Sequence, residues 1–211
     1  ESNSNSIESA DINEIWFGNS YEFNEAIIYS KQIFTNINFL KNLETFLFIK
    51  IFVQYVNYKL AIEFYLENEL GYSRGINLKT VDSKVELSIS GWNNRFENYF
   101  ISVMKYLIDL NYDKSDNLIL QTLFTATKQE YLKISNENPW QYSDYLFTQK
   151  TTNFSYDYNT ILKFMDKKIV SEGISIQSKK SLEYQFIENF DLIKKLIFDE
   201  SHFKIFMYGN T

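Results

Sequence analysis

The spacing of apolar residues changes period several times along the chain, and each change predicts an element. Residues 25–34 (EAIIYSKQIF) are rich in β-branched and aromatic side chains over about a strand's length. From Asn38 to Leu70 the period becomes helical, with Leu40, Leu43, Leu47, Ile51, Tyr55, Tyr58, Ile62 and Leu66 recurring at three or four. No Pro or Gly interrupts this run before Gly71, a residue suited to close a helix, so one long helix or two nearly continuous ones end there. Its apolar positions occupy more than one stripe, which predicts a spine buried on several sides. Residues 75–80 and 85–90 then alternate around a turn at 81–84. This is a β-hairpin with Ile76, Leu78, Val85, Leu87 and Ile89 on one face, ended by Gly91. Asn77, Lys79, Glu86 and Ser88 fall on the opposite face.

Beyond the hairpin the pattern is mainly helical. Asn94 with Glu97 three residues later resembles a capping box, and Phe96, Phe100, Val103 and Leu107 carry a helix to about Leu110. A second helix starts at Asp113 or Ser115 and runs through Leu120, Leu123, Phe124, Thr127 and Tyr131. Asn138-Pro139 opens a third, to Gln149, because Pro is well suited to the first helical position. Residues 158–168 fit a shorter helix, and residues 169–180, Ser/Lys-rich with Gly173, read as a loop. Residues 181–198 are helical, and residues 203–208 form a closing strand before Gly209. At the other end, residues 1–11 are polar and predicted to be loose, and the apolar content begins near Ile15-Trp16-Phe17. The order of elements predicts an α+β fold. One domain over residues 12–211 has an antiparallel-rich sheet covered by helices on one face.

Composition narrows the functional classes. The chain of 211 residues can bury a sizeable core, and 45% apolar with 23% charged residues is a globular composition. Its 21 basic residues are scattered among 27 acidic ones, a net charge of −6, which disfavours nucleic acid as a partner. Cysteine is absent, which removes disulfides, thiolate nucleophiles, iron–sulfur clusters and Cys-based zinc sites and suits a cytoplasmic setting. The single histidine, His202, leaves the commonest hydrolytic sites without enough ligands or bases. The most apolar stretch, residues 46–58, is broken by Lys50, Gln54 and Asn57, so no membrane span is expected. The chain starts at Glu1 with no signal-peptide core after it, and it is expected to be a piece of something longer.

Candidate chemistry is sparse. The pairs Asp109/Asp113 and Asp113/Asp116 bracket a turn between helices, where solvated capping is favoured over cation binding. The six glycines form no phosphate cradle. His202, beside Lys204 in the alternation of the closing strand, reads as an edge side chain rather than a ligand. Trp92 and Trp140 stand at helix starts and read as packing anchors. No residue is a catalytic or metal-ligating candidate.

Several segments carry a family resemblance. From Tyr58-Lys59-Leu60-Ala61 through Leu70-Gly71-Tyr72, the chain resembles the stretch of insulysin-type proteins in which a long Tyr-, Ala- and Leu-rich helix ends in a Gly turn. Leu87-Ser88-Ile89-Ser90-Gly91-Trp92-Asn93 resembles their L-S-V-x-G-Y-N strand end. Asn136-Glu137-Asn138-Pro139-Trp140-Gln141-Tyr142 is similar to their E-x-P turn into a helix, and Glu14-Ile15-Trp16-Phe17 to their x-L-W-F segment. Phe206-Met207-Tyr208-Gly209-Asn210 resembles their closing strand before His-Gly-Asn. The landmarks keep the family's order over nearly the whole chain, so it resembles a domain of the insulinase-family (M16) metallopeptidases.

The resemblance implies a specific role. The family has four similar α/β domains that close as two halves of a clamshell around a chamber. Zinc sits in the first domain on an inverted HxxEH motif. This chain has no HxxEH and resembles the third, non-catalytic domain. The implied function is a scaffold and chamber wall of a zinc metalloendopeptidase that degrades peptides. Its implied partners are the other domains of the same polypeptide and the peptide substrate, with no cofactor in this chain. The alternative is a free-standing protein-interaction or assembly domain that keeps the fold without a peptidase. Tyr208 stands where the family commonly has His, and the 169–180 loop looks like an insertion. On this reading the open face of the hairpin, carrying Asn77, Lys79, Glu86 and Ser88, becomes a candidate surface for extended substrate.

Overall fold

The computed structural model describes residues 14–19, 26–80, 82–134, 139–151, 156–170 and 181–209. The segment 1–11, the turn residue Val81, the cap Asn138 and residues 171–180 of the expected loop lie outside them. Five strands form one mixed sheet: β1 (Glu14–Asn19), β2 (Ile27–Thr35), β3 (Ser73–Lys79), β4 (Lys84–Trp92) and β5 (His202–Gly209). Their order is β1-β5-β2-β4-β3, with β1 parallel to β5 and the other pairs antiparallel. The expected antiparallel-rich sheet is therefore present. The strand at 14–19, which the sequence reading left unassigned, joins it through the one parallel pair.

The helices are α1 (Leu43–Glu63), α2 (Tyr65–Glu69), α3 (Asn93–Asp109), α4 (Asn117–Ile134), α5 (Pro139–Thr151), α6 (Tyr158–Val170), α7 (Leu182–Glu188) and α8 (Phe190–Phe198). Packed against the sheet are α1 along β3, α3 beside β4 and β2, and α8 against β2. On its other side α1 meets α4, which in turn packs on α6 and α7. That sandwich explains why apolar residues ring α1: Phe46, Leu47, Ile49, Ile51, Phe52, Tyr55, Val56 and Leu60 are all buried. The Phe/Tyr-rich composition supplies the filling. Phe52, Tyr55 and Phe186 pack around Phe190 with ring centroids 5.2, 5.7 and 5.9 Å away, the tilted and edge-on arrangements that aromatic quadrupoles favour.

Of the two alternatives for the long helical run, two nearly continuous helices are present, divided at Phe64. Its ring is held edge-on between Tyr99 and Tyr106 of α3, each 5.7 Å away, and its backbone leaves helical geometry. The N-terminal end also differs. Residues 37–40 form a 3₁₀ turn, and α1 starts after Asn42, whose side chain accepts from the Thr45 N–H. Gly71 adopts φ 89°, the left-handed close that the sequence pattern predicts. The run 181–198 likewise divides, at Asn189. Two local expectations fail. α3 begins at Asn93 with no side-chain cap, so Asn94 and Glu97 form no capping box; the Asn93 N–H donates instead to the Ala26 carbonyl (2.8 Å). Nor does Gly91 end the hairpin: it lies within β4, where an added Cβ would sit 2.0 Å from the Tyr72 ring. Close approach of that ring, rather than termination, is what requires glycine here.

The hairpin forms with its apolar residues on one face as predicted, and pairs Ile76 with Leu87 and Leu78 with Val85. Ile76, Val85, Leu87 and Ile89 are buried under the helices. Leu78, expected to be buried with them, is only half-buried, being near the end of edge strand β3. Leu87→Ala is expected to cost about 2–5 kcal/mol in chemical denaturation, because it opens a cavity at the centre of this face. An unchanged midpoint would contradict the packing of that face.

Candidate functional site

The face of the sheet away from the helices holds the four residues singled out from sequence. Cross-strand pairing arranges it in rows. One row runs Trp16, Phe206, Lys31, Ser88, Gly75 from β1 to β3. The next runs Gly18, Tyr208, Tyr29, Ser90, Ser73, and on the opposite side lies Glu14, Lys204, Ile33, Glu86, Asn77. The β1/β5/β2 part is aromatic: Tyr29, Phe206 and Tyr208 are each about half-exposed, and Trp16 stacks on Phe206 at 6.4 Å and 12°. The β4/β3 part is small and polar. Between them runs a trough of about 510 Å³, lined by Tyr29, Lys31, Phe206 and Tyr208 on one side and Ser73, Gly75, Asn77, Ser88 and Ser90 on the other.

Charges beside the aromatic part and the trough are paired. Lys31 Nζ is 3.0 Å from Glu86 Oε2. Glu14 Oε2 accepts from Trp16 Nε1 (2.9 Å) and Lys204 Nζ (3.0 Å), and these two bonds hold its carboxyl below the usual range. Of the sequence candidates, Asn77 and Ser88 line the trough. Glu86 adjoins it through Lys31, and Lys79 stands apart, opposite Lys84 at the end of the hairpin. Tyr29, Lys31, Phe206 and Tyr208 were missed. The alternation in β2 and β5 marks them as outward-facing, but only the non-local strand order places them beside the hairpin.

The outer edge of β3 is blocked at its centre. At Ile76 the Asn57 carboxamide of α1 donates to the backbone carbonyl (2.6 Å) and accepts from the N–H (2.9 Å), occupying both groups that this residue would offer to another strand.

The acidic residues behave differently from one another. Asp113 caps the turn before α4 by accepting from the Ser115 N–H (3.0 Å), and Asp109 is exposed. Asp116, expected to be a solvated cap, is instead buried. Tyr55 Oη donates to it at 2.6 Å and Lys59 Nζ at 2.9 Å, joining α1 to the α3–α4 connection. The hydrogen bond to Asp116 raises the Lys59 pKa; burial, reinforced by Asp116, raises that of Tyr55 strongly. Burial, with Asp116 and Asp113 nearby, pushes Tyr112 up to about 12. This is an internal clasp with no opening toward the trough. His202 is exposed at the start of β5. Trp92 is an anchor, its Nε1–H donating to the Leu70 carbonyl at 2.9 Å, whereas Trp140, at 69% exposure, is not. Among the described residues no three His, Asp or Glu side chains come together as a metal site.

No family model and no curated protein matches the chain. Solved structures do. Pitrilysin is similar over 93% of this chain and 19% of its own, with a TM-score of 0.65 and 12% identity. The periplasmic protease PqqL from Escherichia coli covers 95% of this chain and 21% of its own, at 0.60 and 11%. A peptidase M16 inactive domain from Pseudomonas fluorescens covers 94% and 44%, at 0.52 and 9%. The fold is that of M16 peptidase domains. The chain spans about a fifth of the length of the first two.

Proposed function

We propose that the chain is the non-catalytic scaffold and wall domain of an insulysin-type zinc metalloendopeptidase, corresponding to the third of its four domains. The observation that carries this reading is an M16 fold matched over more than nine-tenths of the chain in a sequence with one histidine and no cysteine. A stable zinc site takes three or four ligands, and the lack of such a cluster among the described residues supports a role without zinc in this chain. Its contribution is therefore shape. An enclosing wall excludes bulk water and large folded proteins, and opening of the enclosure can limit turnover. The partners are the other domains of the polypeptide and the peptide within. Ile62, Tyr65, Leu66 and Leu70 are all exposed around the end of α1 and α2, which supports burial against such a domain. The residues proposed to face substrate include Asn77, Lys79, Glu86 and Ser88 on the open face.

Likeness to an inactive M16 domain favours a second reading, a free-standing assembly domain. The two separate in the adjoining reading frame: an upstream HxxEH supports the wall, and stop codons on both sides support the assembly domain. On either reading the purified chain is expected to hold no zinc after dialysis against chelator and to cleave no peptide. Stoichiometric zinc, measured by atomic absorption, would overturn this.

A further inference from the structure

We infer that the open-face trough is a subsite for an uncharged aromatic or aliphatic side chain of an extended peptide, a refinement that rests on the wall reading above. The first argument is Gly75. In the interior of a strand, glycine costs roughly 0.5–1 kcal/mol relative to alanine and commonly marks a close approach by another group. Gly91 has such a group within the fold, the Tyr72 ring. Gly75 does not. A Cβ there would find only Asn57 Oδ1, at 3.9 Å, and Gly75 is not among the residues at positive φ. Neither the backbone nor the packing demands glycine at this position, so the space above it is free for a ligand.

The neighbours extend that space. Ser88 lies directly opposite Gly75 and Ser90 opposite Ser73, so two adjacent strands present only small side chains. At about 4.8 Å between strands, this is a floor roughly 10 Å across. Phe206, Tyr29 and Tyr208 wall it on the β2/β5 side. A volume of about 510 Å³ is within the range of small-ligand sites.

Charge selects the occupant. Lys31, whose side chain lines the trough, is paired with Glu86, and the Arg74 side chain turns to the helix side of the sheet, donating to the Leu60 carbonyl of α1 (2.9 Å), so it brings no charge to the trough. An ionised side chain would lose hydration here and gain no counter-ion, whereas an aromatic or aliphatic one would cover the aromatic wall. Exposed Ser73, Ser88 and Asn77 offer donors and acceptors to the peptide backbone alongside. Asn57 occupies the Ile76 backbone groups at the centre of the β3 edge, which disfavours strand addition there and favours a peptide lying across the face.

The test uses the 211-residue chain and two blocked pentapeptides, acetyl-Ser-Phe-Ser-Phe-Ser-amide and its counterpart with Asp for both Phe, titrated by NMR. The Phe peptide is expected to saturate and to bind at least about tenfold more tightly than the Asp peptide. Gly75→Leu and Ser88→Trp, which fill the floor from two strands, should each weaken it by at least about tenfold with the thermal midpoint preserved. No saturable binding at millimolar peptide, equal affinity for the two peptides, or unchanged binding in a folded filled variant would overturn the inference. The wall reading fails separately, on a reading frame that encodes no companion domain.

Discussion

Ile51→Asp is expected to abolish soluble expression of the chain. Ile51 lies near the middle of α1, has no exposed surface, and is enclosed between the sheet and the outer helices. A carboxylate there loses its hydration and gains no partner, which costs several kcal/mol. A domain of ordinary stability has only about 5–15 kcal/mol to lose. Yield and melting point of the variant are the readout. Normal expression would mean that this side of α1 is not packed as described.

The second large effect belongs to Asp116. Asp116→Ala strands the Lys59 ammonium and the fully buried Tyr55 hydroxyl together. Breaking a buried pair from one side costs about 3–5 kcal/mol, against roughly 0–1 kcal/mol for an exposed pair such as Lys84–Asp82. Asp116→Asn, which keeps an acceptor for Tyr55, is expected to lose less. The clasp also sets a pH dependence. Lys59 and Tyr55 both hold their protons more tightly when folded, and so does Tyr112. The unfolded chain therefore releases these protons first, at about pH 10. Stability is fully present below that pH and falls as pH climbs toward 12 and beyond. Urea midpoints between pH 8 and 11 measure the slope, which should be shallower in Tyr55→Phe. A flat profile would contradict the assigned burial.

What the sequence reveals here follows the range of the interactions. The hairpin and its apolar face were legible because alternation and turn residues are local. So were Gly71 and the starts of the helices at Pro139 and Tyr158. Two nearly continuous helices over 38–70 were one of the sequence alternatives, but the place of the break, Phe64, was not legible, since the Tyr99 and Tyr106 rings that hold it are more than thirty residues away. Gly91 looked like a terminator because the pattern cannot show the Tyr72 ring above it. Asp116 looked like a cap for the same reason: its partners lie one helical turn apart on α1. The candidate face was half legible. Its hairpin side was read from alternation, but its aromatic wall depends on β5 lying between β1 and β2.

Peptide hydrolysis by the whole polypeptide that carries this chain tests the central claim most directly. The wall account predicts zinc-dependent cleavage by the whole protein and none by the 211-residue chain. It also predicts that Lys79→Ala with Glu86→Ala raises KM while kcat stays near its starting value, the signature of lost uniform binding. Cleavage by the isolated chain, or a fall in kcat at unchanged KM, would contradict it.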